Sequence, residues 1–131
     1  MSTFLRFEDI EAWQKARELT KSIYEISKRG KFATDFAFRD QIRRSSVSIM
    51  ANIAEGHERG GNKEFVQFLS VAKGSVGEVR SHLYVALDQD YITKAEFEGV
   101  SASAVEIGRM IAGLITYLRK TKIKGAKFRD S

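Results

Sequence analysis

Residues 93–118 read TKAEFEGVSASAVEIGRMIAGLITYL, and their apolar side chains recur at alternating steps of three and four positions. The recurring positions are Phe97, Val100, Ala104, Ile107, Ile111, Leu114 and Leu118. This heptad spacing places them on one face of a helix that packs lengthwise against other helices. Thr93 and Glu96 have the spacing of a capping box, which predicts where this helix begins.

Three earlier segments carry the same kind of periodicity. Helices are predicted over residues 8–29, over 34–58 with Thr34 or Asp35 as the first residue, and over 63–88. Gly30 and the pair Gly60–Gly61 are the expected breaks between them. The apolar positions are Ile10, Trp13, Ala16, Leu19, Ile23 and Ile26, then Phe38, Ile42, Ile49 and Ile53, then Phe65, Phe68, Leu69, Ala72, Val76, Val79, Leu83 and Ala86.

The chain of 131 residues contains no proline, which favours long uninterrupted helices. Four helices joined by short connectors pack as antiparallel neighbours. The sequence therefore predicts an all-α fold, an antiparallel up-down-up-down four-helix bundle over residues 1–124, followed by a basic, flexible C-terminal tail over 125–131. No segment alternates with a period of two, so no sheet is expected.

Two details of the third predicted helix concern its packing and its start. Gly74 and Gly77 lie inside a strong apolar pattern, where each costs about 1 kcal/mol relative to alanine. We therefore expect another helix to approach closely at these glycines. Asn62 is the expected N-cap of the same helix.

A polar stripe accompanies the apolar one on the second predicted helix, at heptad spacing. Its residues are Gln41, Ser45, Ser48, Asn52, Glu55 and Arg59. One interpretation is an ordinary solvated face. The other is a contact surface, within the bundle or between subunits, that also takes in Ser75 and Glu78 of the third helix. A buried Glu55 would then require a cation, which Arg43, Arg44 or Arg59 could supply.

The net charge of +5 comes from 22 basic and 17 acidic side chains, and the excess lies at the C-terminus. From Arg119 onward there are six basic residues and one acidic residue, so the preceding 118 residues are neutral. These six could simply complement a helix C-terminus, or they could attract phosphates, more strongly in an oligomer. The candidate nucleic-acid contacts are Arg43, Arg44, Arg59, Lys63, Arg119, Lys120, Lys122, Lys124, Lys127 and Arg129.

Several classes of function find little support in the residues. Without cysteine there is no disulfide or thiolate metal site, and no cofactor is expected. The two histidines, His57 and His82, lie on different predicted helices and lack the spacing of a zinc site. His57 is therefore interpreted as a helix-end histidine and not as a ligand, and no catalytic residue is assigned. No apolar run is long enough for a bilayer, and acid follows too early for a signal peptide, so we expect a cytoplasmic protein.

Residues 41–56, QIRRSSVSIMANIAEG, resemble the signature of a family of small bacterial four-helix bundle proteins. Members were first met as reading frames in intervening sequences of large-subunit ribosomal RNA genes. Further matches follow the same order along the chain up to about Tyr117. They are Phe7-Glu8-Asp9-Ile10 with Trp13-Gln14-Lys15-Ala16, Lys63-Glu64-Phe65 with Phe68-Leu69, and Ala72-x-Gly74-Ser75 with Glu78.

The resemblance implies a cytosolic four-helix bundle that forms a ring-like homo-oligomer, expected to be a pentamer. Such proteins often carry proline before the second helix and near position 50, where this chain has Met50 and no proline. The family is also remotely similar to accessory proteins of diversity-generating retroelements, which are basic pentameric barrels that bind nucleic acid and a reverse transcriptase. No settled activity follows from the resemblance, because a fold does not determine a function.

Two hypotheses of function follow from these observations. The first is a non-enzymatic homo-oligomer that binds RNA or DNA through basic side chains with little sequence specificity. The second is a protein-interaction scaffold whose partner is another protein, without nucleic-acid binding. Neither requires a membrane.

Overall fold

A computed structural model of the protein describes the backbone of residues 4–128 and the side chains of residues 4–121. A 3-10 turn at Phe7–Asp9 is followed by helices α1 (Glu11–Ile26), α2 (Gly30–Thr34), α3 (Phe36–Glu58), α4 (Asn62–Asp88) and α5 (Lys94–Phe128). No strand occurs in that described part of the chain. The predicted all-α class is confirmed, with α2 as an additional short helix.

The four long helices form a bundle in which each packs against two neighbours, in the order α1, α3, α4, α5 and back to α1. Arg43 Nε donates to Ser27 Oγ at 2.8 Å, which joins the end of α1 to the first half of α3. Asn62 Nδ2 donates to Leu118 O at 3.4 Å, which joins the start of α4 to the late part of α5. These contacts make neighbouring helices antiparallel, in agreement with the predicted up-down-up-down topology.

The core consists of the apolar stripes that the sequence predicted. Ile107, Ile111 and Leu118 of α5 are fully buried, as are Ile42, Ile49 and Ile53 of α3. Trp13, Phe38, Phe97, Val100 and Leu114 are only partly buried and pack against this core. Removing these side chains from water is the main force that holds the helices together.

The segment before α3 differs from the single helix predicted over residues 8–29. Ile10 is extended between the 3-10 turn and α1, and α1 ends at Ile26. Gly30 has a left-handed φ of +49° and begins α2, so it marks a break as expected but also starts a new helix. The reason for α2 is Phe32, which is fully buried and stacks on Phe38 and Tyr91 with ring centroids 5.5 and 5.1 Å away.

Two local predictions about α4 are wrong. A Cβ added at Gly74 or Gly77 would meet nothing within 4 Å, so neither glycine marks a close helix contact. The close approach lies at Gly56 of α3, where an added Cβ would be 2.7 Å from Phe68 Cβ. Asn62 is the first residue of α4 and not its cap, because its side chain reaches across to the carbonyl of Leu118.

The start of α5 confirms the predicted capping box. The backbone N–H of Thr93 donates to Glu96 Oε1 at 2.9 Å, and the backbone N–H of Glu96 donates to Thr93 Oγ1 at 3.1 Å. Both donors would otherwise lack a partner inside the helix. The proposed division between residues 124 and 125 stays a prediction, since it falls beyond the described side chains.

Candidate functional site

The middle of the polar stripe on α3 lies against α4 of the same chain. Ser48 Oγ and Ser75 Oγ share a hydrogen bond of 2.9 Å, and Asn52 Nδ2 donates to Ser48 O at 2.8 Å and to Ser48 Oγ at 3.0 Å. Ser45 is buried and donates to Gln41 O one turn earlier. The stripe therefore contains a polar contact between two helices, whose small side chains satisfy one another's hydrogen bonds.

The ends of the stripe are exposed to solvent. The exposed residues of the stripe are Gln41, Glu55 and Arg59. The surface also includes Glu78 of α4. Glu55 pairs with Arg59, whose Nη2 lies 2.7 Å from Glu55 Oε2. Arg59, and not Arg43 or Arg44, is therefore the cation that accompanies Glu55. Both side chains are about half exposed, so this pair contributes little to stability.

Four of the basic candidates lie together at one end of the bundle, which we name the basic end: Arg59, Lys63, Arg119 and Lys120. Arg59 is the C-cap of α3 and Lys63 lies in the first turn of α4. The contact between Asn62 and Leu118 brings the next residues of α5 to the same end. Lys63, Arg119 and Lys120 are exposed and make no ion pair with the described side chains.

Arg43 and Arg44 lie elsewhere, about 24 Å from Arg59 along α3 at the helical rise per residue. The guanidinium of Arg43 donates to Ser27 and lies over the Tyr24 ring at 4.5 Å, so it helps to hold α3 against α1. Arg44 is exposed. The side chains of Lys122, Lys124, Lys127 and Arg129 lie outside the described residues.

One basic surface was missed by the sequence reasoning. Lys73 and Arg80 of α4 and Arg109 of α5 line an open groove of about 320 Å³ between these two helices. The signal was present in the seven-residue spacing of Lys73 and Arg80, which places both on one helical face. A charge run along the chain does not reveal this surface, because Arg109 joins the other two residues only through packing of α5 against α4.

The histidines form no recognisable catalytic or metal centre within the described part. His57 Nε2 lies 3.0 Å from Phe4 O, and His57 Nδ1 lies 3.5 Å from Glu58 Oε2. Among the described residues, no group of three histidine, cysteine, aspartate or glutamate side chains could hold a metal ion. None of the helices between residues 4 and 128 has the length and apolarity needed to cross a bilayer.

The perturbed pKa values belong to the opposite end of the bundle and not to the candidate site. A hydrogen bond from Arg29 lowers the pKa of Glu96 from 4.5 to about 2, with help from the backbone of Thr93. The same bond raises the pKa of Arg29. The hydrogen bond from Tyr91 Oη to Asp35 Oδ2, at 2.7 Å, raises the pKa of Tyr91. These pairs link the connectors at that end of the bundle.

The chain is similar to a solved structure in its fold and to a family model in its sequence. A solved structure from Bacteroides thetaiotaomicron, described as a protein of unknown function from the S23 ribosomal protein family, superimposes with a TM-score of 0.74. It is 24% identical in sequence, and the match covers 80% of this chain and 95% of that one, which supports the fold. Comparison with curated proteins found no match. The model of the 23S rRNA-intervening sequence protein family matches residues 8–113, and the chain therefore belongs to that family.

Proposed function

We propose that this protein is a non-enzymatic, cytoplasmic homo-oligomer that binds nucleic acid through basic side chains with little sequence specificity. The observation that carries the proposal is the basic end, where the end of α3, the start of α4 and the adjacent part of α5 contribute Arg59, Lys63, Arg119 and Lys120 to one surface. The description of its family, which refers to 23S rRNA, is consistent with a nucleic-acid partner.

The basic end offers positive charge, and the sequence has no recognised motif for reading bases, so contacts to phosphate are favoured. Lys63, Arg119 and Lys120 are exposed and unpaired among the described side chains, so they are available to displace condensed counterions. Such contacts position a nucleic acid but carry no sequence information. The expected result is binding that weakens steeply as salt rises and that depends little on base sequence.

A homo-oligomer is supported by two exposed apolar side chains on α4. Val71 and Val85 are 53% and 41% exposed, and Glu78 lies midway between them at heptad spacing. Together with Gln41 and Glu55 of α3, these residues form what we call the α3–α4 outer face. We propose that this face contacts a neighbouring subunit, and the family resemblance favours a pentamer.

Charge-removing variants test the nucleic-acid proposal. The affected variant carries glutamine at the four positions of the basic end, and its control carries glutamine at four exposed lysines elsewhere, namely Lys21, Lys28, Lys31 and Lys94. Both variants have the same formal charge. Fluorescence anisotropy with labelled RNA and DNA, measured over a salt series, should show a weaker salt dependence for the basic-end variant alone. The logarithmic slope should fall by up to about 0.9 for each duplex phosphate that the variant no longer neutralises.

Failure of the wild-type protein to bind RNA or DNA at low salt would overturn this proposal. An equal loss of affinity in the basic-end variant and its control would also overturn the proposal. Such a result would mean that binding depends on the net charge of the protein and not on the position of the basic residues. A hydrolytic activity that disappears in His57→Ala would contradict the non-enzymatic part.

The α3–α4 outer face also supports a second candidate, a scaffold that binds another protein and no nucleic acid. Size-exclusion chromatography with light scattering, run with and without a mixed RNA pool, separates the two. A complex with RNA favours the first candidate. Recovery of a single protein partner on the wild type but not on Val71→Arg, with no RNA bound, favours the scaffold.

A further inference from the structure

The groove between α4 and α5 presents cations without compensating acids. Lys73, Arg80 and Arg109 contribute three positive charges, and no carboxylate is among the described residues that line the groove. All three side chains are exposed, and none forms an ion pair within the described part of the chain. Exposed charges of one sign in a groove attract a ligand of the opposite sign.

The groove is lined in part by small residues, which leave space between the three cations. These residues are Gly77, Gly108 and Ala112. A Cβ at Gly77 would meet nothing within 4 Å, and a Cβ at Gly108 would make an ordinary contact of 3.5 Å with Val76 Cγ1. Glycine inside a helix lowers helix stability relative to alanine. Since helix packing would accept a larger residue here, the open space itself calls for an explanation.

The charges are arranged as a line along the bundle. Lys73 and Arg80 are seven residues apart, which separates them by about 10 Å on one face of α4. On α5, Arg119 follows Ala112 by seven residues and so continues the same side of that helix toward the basic end. Arg119 therefore lies on the groove side of α5, about 10 Å beyond Ala112 toward the basic end.

An exposed aromatic ring lies at the other end of this line. Tyr84 follows Arg80 by one helical turn and is 57% exposed. Its ring packs edge-on against Phe97 with centroids 4.9 Å apart, which holds it in place. A positive groove with an exposed aromatic ring is the arrangement by which proteins bind single strands, with phosphates on the cations and a base stacked on the ring.

We infer that the α4–α5 groove binds single-stranded nucleic acid, with its phosphates along Arg80, Arg109 and Lys73 and a base on Tyr84. The inference rests on the proposed function, because the basic end receives the same strand. It goes further by naming a groove on the side of the bundle, a strandedness and a stacking residue. The phosphate contacts of the cations and the stacking of a base on the ring do not depend on base sequence.

The test compares single-residue variants that alter the groove without removing a contact between helices. Gly77→Glu places a carboxylate among the three cations, Gly77→Gln is its neutral control of the same shape, and Gly99→Glu makes the same charge change in the groove between α1 and α5. The probe is a labelled 20-nucleotide single strand, compared with its duplex. We expect the affinity of Gly77→Glu to fall at least tenfold and the two controls to bind like wild type.

Three further variants separate charge from stacking. Replacing Lys73, Arg80 and Arg109 together by glutamine should reduce the logarithmic salt slope by about 2, since each single-strand phosphate contact contributes about 0.7. Tyr84→Ala should weaken binding with an unchanged salt slope, whereas Tyr84→Phe should retain the affinity. Circular dichroism and light scattering check that each variant keeps its fold and its mass.

The outcomes distinguish this inference from the proposed function. If wild type binds no nucleic acid, the proposed function fails and the groove inference fails with it. If wild type binds and only the basic-end variant is impaired, the proposed function stands and the groove inference is wrong. Tighter binding of the duplex, or a change of oligomeric mass in Gly77→Glu without loss of affinity, would also overturn the inference.

Discussion

Glu96 takes part in two stabilising interactions at the start of α5. Its carboxylate accepts the Thr93 backbone N–H and pairs with Arg29, whose Nη1 lies 2.8 Å from Glu96 Oε2. These bonds favour the ionised form, which lowers the pKa of Glu96 to about 2 from its usual 4.5. The stabilisation is therefore fully present above about pH 4.5 and is lost as the pH falls through about 2.

The first prediction concerns Glu96→Gln. The amide oxygen can still accept the Thr93 N–H, so this variant loses the ion pair and keeps the cap. We expect the melting temperature of wild type to exceed that of the variant by a constant amount between about pH 7 and 5, and the difference to shrink as the pH approaches 2. Glu98→Gln, at an exposed position in the same turn, is the control. A difference in melting temperature that stays the same down to about pH 2 would contradict the lowered pKa of Glu96.

The second prediction concerns Ile111, which is fully buried in the heptad stripe of α5. Ile111→Asp would place an unpaired carboxylate in the core, so we expect a loss of about 4 kcal/mol or more and no cooperative melting at neutral pH. Circular dichroism during thermal unfolding measures this. Gly113→Asp, at an exposed position on the same helix, should retain a cooperative transition.

At the scale of the element, α3 and α4 meet most closely at Gly56. The absence of a side chain there lets Phe65 and Phe68 of α4 lie directly against the α3 backbone, since an added Cβ would be 3.0 Å from Phe65 Cδ1. Arg59 covers the same contact, with its guanidinium 5.0 Å from the centre of the Phe68 ring. The short turn between the two helices is thus stabilised by aromatic packing against a glycine.

The third prediction compares two glycines by alanine substitution. Gly56→Ala should destabilise the protein by about 1–3 kcal/mol, because the new methyl group overlaps the Phe68 Cβ, which lies next to the backbone and cannot move alone. Gly74→Ala should stabilise it by about 1 kcal/mol, because alanine favours a helix and meets open space. Chemical denaturation measures the free energy of unfolding of both variants. If both substitutions change it in the same direction, the difference in packing at the two glycines is contradicted.

The elements themselves were largely predictable from the sequence, and the exception depends on a contact with a residue distant along the chain. The ends of α3 and α4 agree with the predicted 34–58 and 63–88 within two residues. The short helix α2 was missed because Phe32 stands outside any repeating pattern. Its burial depends on Phe38 and Tyr91, and Tyr91 is distant in sequence.

At the scale of the whole molecule, the α3–α4 outer face is the surface on which assembly is proposed. The hydrogen bond between Ser48 and Ser75 lies inside the chain, so a substitution at Ser48 would disturb the bundle itself and would not report on a subunit contact. Val71 is a better probe, because it is 53% exposed and its replacement leaves the core unchanged.

The fourth prediction is that Val71→Arg lowers the oligomeric mass without loss of helicity. A long charged side chain on a contact surface would be desolvated without a partner, which disfavours association. Light scattering coupled to chromatography measures the mass, and Ser103→Arg on the exposed side of α5 is the control. An unchanged mass for Val71→Arg would mean that this face contacts solvent.

The candidate site was predictable only in part, because binding surfaces combine residues that are distant in sequence. Arg59, Lys63, Arg119 and Lys120 were named from the sequence, and antiparallel packing brings them together. Arg43 was named as well, but it binds Ser27 and Tyr24 within the bundle.

The sequence by itself determined four long helices, their antiparallel order and the family, because the apolar period of a helix and the capping residues are local properties of the chain. Only the tertiary structure decided that Ser48 meets Ser75, that Gly56 is the point of closest approach, and that Arg109 lies across a groove from Arg80. The physical reason is that each of these depends on how far every helix is rotated about its axis and shifted along its neighbour, and that is settled by the packing of all the helices at once.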